Sequence, residues 1–397
     1  MRFNGTLWMR LCKSEILSES NLEKARKSRV LRDLSFIGSY TELYDRDVFV
    51  DNELSELVIA SLDSYVIQDA KTYVLSEAKD EQILIINESH HRPEHRKFTT
   101  DLLSELYDHG YRYLALEAIL SNQHSALTNY PLNKYNLGDT TIQSRGYPLM
   151  KACSGTYVKE PAFGNMIRKA IKLGYTIIGY EKNGKERELN QANNIAKIIN
   201  SDASAKFLIH CGYGHIIESQ TIKKDGQTDI RMAGYLKEIT GINPMTIDQT
   251  SYYNLQDMSD YVSSRCGNQK PQLFINDSEV FKSYSIEEQD YWDMTIFYPT
   301  YELTEDRPSW LTSDTDMNVF TLISDKICID YPIRIKLLES NDRLDAVPID
   351  IIESKEPKVS YKLYGQVEKA KLVIDNVNGD RQIIELDKSP TNAYDKK

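Results

Sequence analysis

Between residues 87 and 95 the chain reads NESHHRPEH, which places Glu88, His90, His91, Glu94 and His95 within nine positions and holds three of the seven histidines in the sequence. A carboxylate beside imidazoles on a rigid strand end is what a general acid/base pair or a divalent metal needs. The bland alternative is a polar loop with helix-capping charges. A second element, Cys211-Gly212-Tyr213-Gly214-His215, carries two glycines that let the backbone pass close to a ligand and deliver His215. On residue type, Glu88 and Glu117 are metal ligands or a general base and its orienter, and His90 and His215 are ligands or proton shuttles. Arg187 is placed to stabilise an oxyanion or a substrate carboxylate. His91, His95 and Glu181 are supporting candidates. The mixed oxygen and nitrogen set suits Mn, Fe, Co or Zn better than copper or an iron–sulfur cluster. If the ligand is haem, Tyr213 beside His215 is the candidate axial ligand.

The elements that must position these groups follow from the apolar pattern. Residues 83–86 (ILII) form a run too short for a helix and rich in β-branched side chains, which predicts a buried strand ending at Asn87-Glu88. Phe98, Leu102, Leu103 and Leu106 recur at helical spacing up to Gly110. A second strand, YLAL (113–116), ends at Glu117. Met166, Ile167, Ala170 and Ile171 predict a helix closed by Gly174, and TIIGY then ends at Glu181. A helix over 188–199 precedes a strand over 207–209 that runs into His210, and residues 245–247 and 295–298 read as later strands of the same sheet. In a parallel α/β sheet the carboxyl ends of the strands share one edge, where ligands bind. Glu88, Glu117, Glu181 and the His210/His215 pair therefore converge there.

The flanks have a different texture. Residues 1–80 predict a helical extension, with helices over 18–33 and 53–75 separated by the turn-rich GSYTELYDRD. From about 307 alternating runs and an Asn378-Gly379 hairpin signal predict a small antiparallel β domain. The expected organisation is a helical extension (1–80), an α/β core of largely parallel sheet flanked by helices (81–306) and a β-rich carboxyl-terminal domain (307–397).

The segment ILIINESHHRPEHRKFTTDLL followed by YRYLALEAI resembles the opening of the ChaN-like branch of the haem-binding-uptake/Tiki superfamily, whose first strand ends in a GE-x-H signature with Pro and His shortly after. Glu88, His90, Pro93 and His95 fall on that pattern, while Asn87 replaces the usual Gly. Arg187-Glu188 followed by Gln191-Ala192-Asn193-Asn194-Ile195 is similar to the Arg-Asp and Met-Ala-x-Asn-Ile helix of erythromycin esterase-like relatives, and FLIHCGYGHI matches their strand ending in G-x-GH or HN-x-H. The resemblance covers about residues 81–250. It implies an α/β core with a Glu/His pocket, in a group that includes metal-dependent peptidases, metal-independent esterase-like hydrolases and haem binders.

Composition limits the alternatives. The 397 residues carry 48 Lys+Arg against 59 Asp+Glu, a net charge of −11, with no basic run of the kind that binds nucleic acid. No apolar stretch is long enough to span a bilayer. The five cysteines are scattered without a CxxC pair, so neither a disulfide framework nor a cysteine zinc site is expected. Ser89 and Ser154 lack a nucleophile elbow, and Cys211 adjoins His210 too closely in sequence for the usual base arrangement. The leading expectation is hydrolysis of an ester or amide bond in a small-molecule or peptide substrate, with a divalent metal. The rivals are haem or iron binding without turnover, and a non-catalytic binding module. As written the start has no signal-peptide pattern, which points to the cytoplasm; a misassigned start would allow export or a lipid anchor. Oligomeric state is not legible.

Overall fold

The computed structural model describes residues 24–121, 139–151, 155–182, 184–222, 226–266, 270–277, 279–312, 314 and 316–386. In chain order the elements that matter are α1 (Lys24–Phe36), α2 (Tyr40–Asp47), α3 (Asn52–Ser61), β1 (Val66–Asp69) and α4 (Ala70–Glu77). The central units follow: β2 (Ile83–Glu88), α5 (Pro93–Asp108), β3 (Tyr111–Leu120), α6 (Pro161–Leu173), β4 (Thr176–Glu181), α7 (Arg187–Ser201) and β5 (Lys206–Gly212). After them come α8 (Met232–Thr240), β6 (Met245–Asp248), α9 (Gln256–Cys266), β7 (Gln272–Asn276) and β8 (Met294–Thr295).

Six of these strands form one sheet in the order β8-β6-β2-β5-β3-β4, every pair parallel. Because side chains alternate along a strand, Leu84, Ile86, Leu114, Leu116 and Leu208 pack on one face with Val74, Leu102, Leu106, Phe163 and Met166 of α4, α5 and α6. Ile83, Ile85, Ala115, Phe207 and Ile209 pack on the other with Ala192, Ile195, Met232 and Leu236 of α7 and α8. A sheet covered on both faces has apolar residues at consecutive positions, which is why ILII was readable as a strand.

The carboxyl-terminal part contains β9 (Asn318–Ile323), β10 (Ile333–Glu339), β11 (Asp350–Ser354), β12 (Ser360–Gly365), β13 (Ala370–Asn376) and β14 (Arg381–Leu386). These make a four-stranded antiparallel sheet, β11-β10-β13-β14, and a β9-β12 pair around Phe320, Ile335, Leu337, Leu363 and Leu372. The Asn378-Gly379 turn joins β13 to β14, with Gly379 at φ +92°.

Three local expectations are corrected. The predicted helix over 53–75 is two helices split by β1, which pairs antiparallel with β7 from Val66↔Ile275 to Asp69↔Gln272. Pairing with a strand 200 residues away overrides local propensity. The turn-rich GSYTELYDRD contains α2, whose Tyr40, Leu43 and Asp47 are buried. The strand expected to stop at Glu117 runs on to Leu120, so Glu117 lies within β3. The first part of the expected helix over 18–33 lies outside the described residues.

Candidate functional site

β2 ends on Glu88, which is 2% exposed and sits at the middle of the sheet edge. Its carboxylate is a four-way junction. Oε2 accepts from Arg96 Nε (2.5 Å) and His210 Nε2 (2.8 Å), and Oε1 accepts from Arg96 Nη2 (2.8 Å) and His90 Nδ1 (2.9 Å). Burial works to raise the Glu88 pKa, but Arg96 and His210 overcome it and hold the carboxyl well below its ordinary range. Arg96 is fully buried and its third arm reaches Glu160 Oε2 (3.0 Å), which caps α6 by accepting from Ala162 and Phe163 N–H (both 2.9 Å). Pro93 at the first turn starts α5 at once after the loop, which brings Arg96 back under Glu88.

His90 faces the cleft. Its ring stacks on Tyr157 (3.7 Å between centroids) and lies over the backbone of Gly212, where an added Cβ would come within 2.3 Å of Cε1 and 2.6 Å of Nε2. Gly212 is therefore needed for space, its φ of −96° being open to any residue. Nδ1 donates to the ionised Glu88, so in the neutral ring Nε2 carries the lone pair. Nε2 has no hydrogen-bond partner among the described residues.

The opposite wall is built from β3, α7 and the turn after β5. Glu117 accepts from Gly212 N–H through Oε2 (2.6 Å) and from Arg187 Nη2 through Oε1 (2.5 Å). His215 Nδ1 donates to Glu188 Oε2 (2.7 Å), which also takes the Met232 N–H (2.9 Å) at the start of α8. Nε2 of His215 lies 2.9 Å from Arg187 Nη1 and 3.3 Å from Glu117 Oε1. The neutral ring accepts from Arg187, and the cation donates to Glu117. Burial works to lower the His215 pKa, yet Glu117 and Glu188 outweigh it and raise it to about 9, so the cation prevails at neutral pH. Burial would raise Glu117, but His215, with His90 and Arg187, lowers it to about 2. Arg187 also grips Glu181 through Nε (3.0 Å) and Nη2, which holds the guanidinium in place. The cleft between these walls has a volume of about 660 Å³ and is lined also by Gly155, Tyr157, Tyr213 and Arg231.

The expected groups Glu88, His90, Glu117, Glu181, Arg187 and His215 are thus brought to one sheet edge. His91 and His95 are not. His91 is buried against Asp47 of α2, with Nε2 2.7 Å from Oδ2. His95 is fully buried and accepts the Ser89 N–H (3.0 Å), with burial and Arg92 holding its ring neutral. His90 and His91 are the two central residues of a turn closed by Arg92 N–H to Ser89 O (2.9 Å), and their side chains leave it toward the cleft and toward Asp47 respectively. Ser154 lies outside the described residues. Cys211 is buried on the face opposite His210, and burial pushes its thiol well above its ordinary range.

Arg96, Glu160, Glu188 and Tyr157 were missed, while His210, expected at the edge beside His215, is placed under Glu88. Arg96 had a signal: with Thr99, Leu103 and Leu106 it falls on the apolar stripe of α5, where an arginine must find buried acceptors. Tyr157 had none, since its stacking on His90 joins segments far apart in sequence. Asn87 ties strands together: Nδ2 donates to Asp248 Oδ1 (2.7 Å) and to Tyr213 O (2.9 Å), and Oδ1 accepts from Gln249 N–H (2.7 Å).

The donor set does not fit a divalent metal. Both Glu88 oxygens accept from Arg96, Glu117 accepts from Arg187 and a backbone N–H, and Arg187 projects its charge between Glu117 and His215. Among the described residues no three His, Cys, Asp or Glu groups are disposed to hold an ion. A haem fits no better, because the cleft is lined by Glu117, Glu181, Arg187 and Arg231, and the Tyr213 hydroxyl is turned to Ser89 (3.2 Å).

No protein-family model matches the chain, and no curated protein does. Among solved structures the chain is similar to the type III effector HopBA1, at 14% identity and TM-score 0.30 over 47% of this chain and 86% of that one. It is similar also to RRSP, a MARTX toxin effector domain from Vibrio vulnificus CMCP6, at 16% identity and TM-score 0.31 over 59% of this chain and 46% of that one. A structure described as bacterial protein toxins matches at 13% identity and TM-score 0.31, over 59% and 48% of the two chains. The chain spans under half the length of the last two.

Proposed function

We propose that the protein hydrolyses ester or amide bonds of a small-molecule or peptide substrate, with His90 as the general base acting on water. The observation that carries this reading is the His90 ring, fixed through Nδ1 by an ionised carboxylate and offering Nε2 to a cleft whose far wall holds Arg187 and His215 ion-paired with Glu117, Glu181 and Glu188. A base held in one tautomer by a buried carboxylate is the logic of carboxylate–histidine pairs in acyl transfer. In the reaction Nε2 takes a proton from water as the water oxygen attacks the carbonyl carbon. Arg187, through Nη1, stabilises the oxyanion with the charge of the His215 imidazolium behind it, and the proton on His90 then passes to the leaving group. The ExH and GxGH motifs that resemble ChaN-like and erythromycin esterase-like proteins support the same placement, and the arginine pairing of Glu88 favours the metal-free branch over the metal-dependent one.

The test is a panel of ester and amide substrates assayed with the wild type and with E88Q, H90A and H215A, with and without chelator, alongside elemental analysis. The expected outcome is turnover that survives chelation and falls by about 100-fold or more in H90A. Turnover unchanged in H90A and H215A would overturn the proposal, and turnover abolished by chelator and restored by Mn or Zn would move it to the metal-dependent branch.

A further inference from the structure

Behind the cleft lies a second polar cluster that the hydrolytic reading leaves unused. Ser89 Oγ lies 3.3 Å from His91 Nδ1, His91 Nε2 lies 2.7 Å from Asp47 Oδ2, and Ser89 Oγ lies 3.2 Å from the hydroxyl of Tyr213, a residue of the cleft wall. Ser89, His91 and Asp47 are 0%, 4% and 5% exposed, so bulk water does not serve them directly. Tyr213 is held at φ +44°, a conformation disfavoured for a side chain with a Cβ, by Asn87 gripping its carbonyl (2.9 Å). Its ring stands edge-on to His90, with centroids 5.0 Å apart.

We propose that Asp47, His91 and Ser89 form a proton relay ending on the Tyr213 phenol, which makes Tyr213 the group that exchanges a second proton with the cleft. The proposal rests on the hydrolytic reading for its use, though not for its existence. With His91 neutral, Nε2–H donates to Asp47, Nδ1 accepts from Ser89 O–H, and Ser89 Oγ accepts from Tyr213 O–H. Moving one proton at each link takes the phenol proton to Ser89 and the Ser89 proton to His91 Nδ1, leaving a phenolate and an imidazolium that Asp47 faces. In the reverse sense the imidazolium proton passes through Ser89 to Tyr213, and the phenol proton goes to a leaving group in the cleft. No other reactant is needed. Asp47, Ser89 and His91 are positioning residues, because none touches the cleft's reacting atoms.

The charged and titratable groups facing the relay are Tyr44 of α2, Glu88, His90, Arg92, Glu94, His95 and Tyr253, and burial holds the Tyr213 phenol above its ordinary value. Arg92 binds Asp47 Oδ2 (2.6 Å) and Glu94 Oε1 (3.1 Å), and lies 5.0 Å from the Tyr44 and Tyr253 ring centroids. Burial would raise Asp47, but Arg92 and His91 hold it below its ordinary value, so it remains an anion able to balance a proton on His91. Tyr253, from the loop after β6, accepts the Ser89 O–H (3.2 Å) and lies 3.4 Å from His91 Nε2, so the Ser89 proton is shared between Tyr253 and His91.

The relay is tested in the full chain by nitrogen–proton correlation of the seven histidine rings from pH 5 to pH 10, with His91 assigned by loss of its signal in H91Q. Y213F and S89A are each expected to move the His91 midpoint by about half a unit or more, and S89T to restore it. An unchanged midpoint and Nδ1 shift in both variants, with wild-type melting, would overturn the relay. On whichever substrate the wild type cleaves, S89A is expected to lower kcat by about 10-fold or more with KM within about 3-fold, and to displace one limb of the pH profile. A wild-type pH profile in S89A would overturn the catalytic use. If the wild type cleaves nothing, the hydrolytic reading fails by itself, and the histidine titration still decides the relay.

Discussion

Arg96 is the residue whose removal most directly probes the site's electrostatics. Its guanidinium makes hydrogen bonds to both oxygens of Glu88, to Glu160 and to the His90 carbonyl (2.8 Å), all without exposure to water. R96M keeps the volume but leaves two buried carboxylates without their cation. Breaking a buried ion pair by deleting one partner costs about 3–5 kcal/mol. With about 1.2 °C lost per kcal/mol for a chain of 397 residues, the melting temperature should fall by about 5 °C. R96K, which keeps the charge but not the planar fork, should fall in between. The sign of the pH dependence follows from Glu88. In the wild type its folded pKa is depressed, so its contribution is complete above the unfolded value of about 4.3 and is lost only as pH falls through the lower folded value. In R96M Glu160, which burial already raises, loses its main opposing charge and Glu88 keeps only His210 and His90 against burial, so the variant loses stability as pH climbs. The gap between the two melting curves should therefore widen from pH 5 to pH 8. The assay is thermal denaturation followed by circular dichroism across that range. A gap that is constant with pH, or a loss below about 1 kcal/mol, would refute the view that Arg96 is what keeps Glu88 ionised.

Three further outcomes are expected. The folded His215 pKa of about 9 lies above the unfolded value of about 6.5, so its pairing contributes fully below pH 6.5 and is lost as pH rises through 9. H215Q should accordingly melt below the wild type at pH 6 and approach it by pH 10, as scanning calorimetry would show. G212A places a methyl group 2.3 Å from His90 Cε1 and should cut kcat about 100-fold while leaving far-ultraviolet circular dichroism unchanged. N87G removes the side-chain links to Asp248, Gln249 and the Tyr213 carbonyl and should destabilise by about 2–3 kcal/mol, measurable by urea titration.

The sequence by itself determined the central architecture and the edge at which the candidate residues gather. Short apolar runs at 83–86, 113–116 and 207–209, separated by amphipathic helices, specify parallel strands because both faces of such a sheet are covered. Strand direction then sends Glu88, Glu117, Glu181 and His215 to one edge whatever the loops between them do. The side of a turn on which each histidine falls was not legible. His90 enters the cleft and His91 the interior because Ser89 N–H is captured by His95, while Asp47, arriving on α2, binds His91. The pairing of Arg96 with Glu88 and Glu160, the stacking of Tyr157 on His90 and the insertion of β1 beside β7 were likewise decided by the tertiary structure alone. Local pattern fixes which face of an element is apolar, since that depends on periods of 2 and 3.6 residues. Partners for buried charge are set by groups tens to hundreds of residues away, and their energies exist only once the chain has closed around them and excluded water.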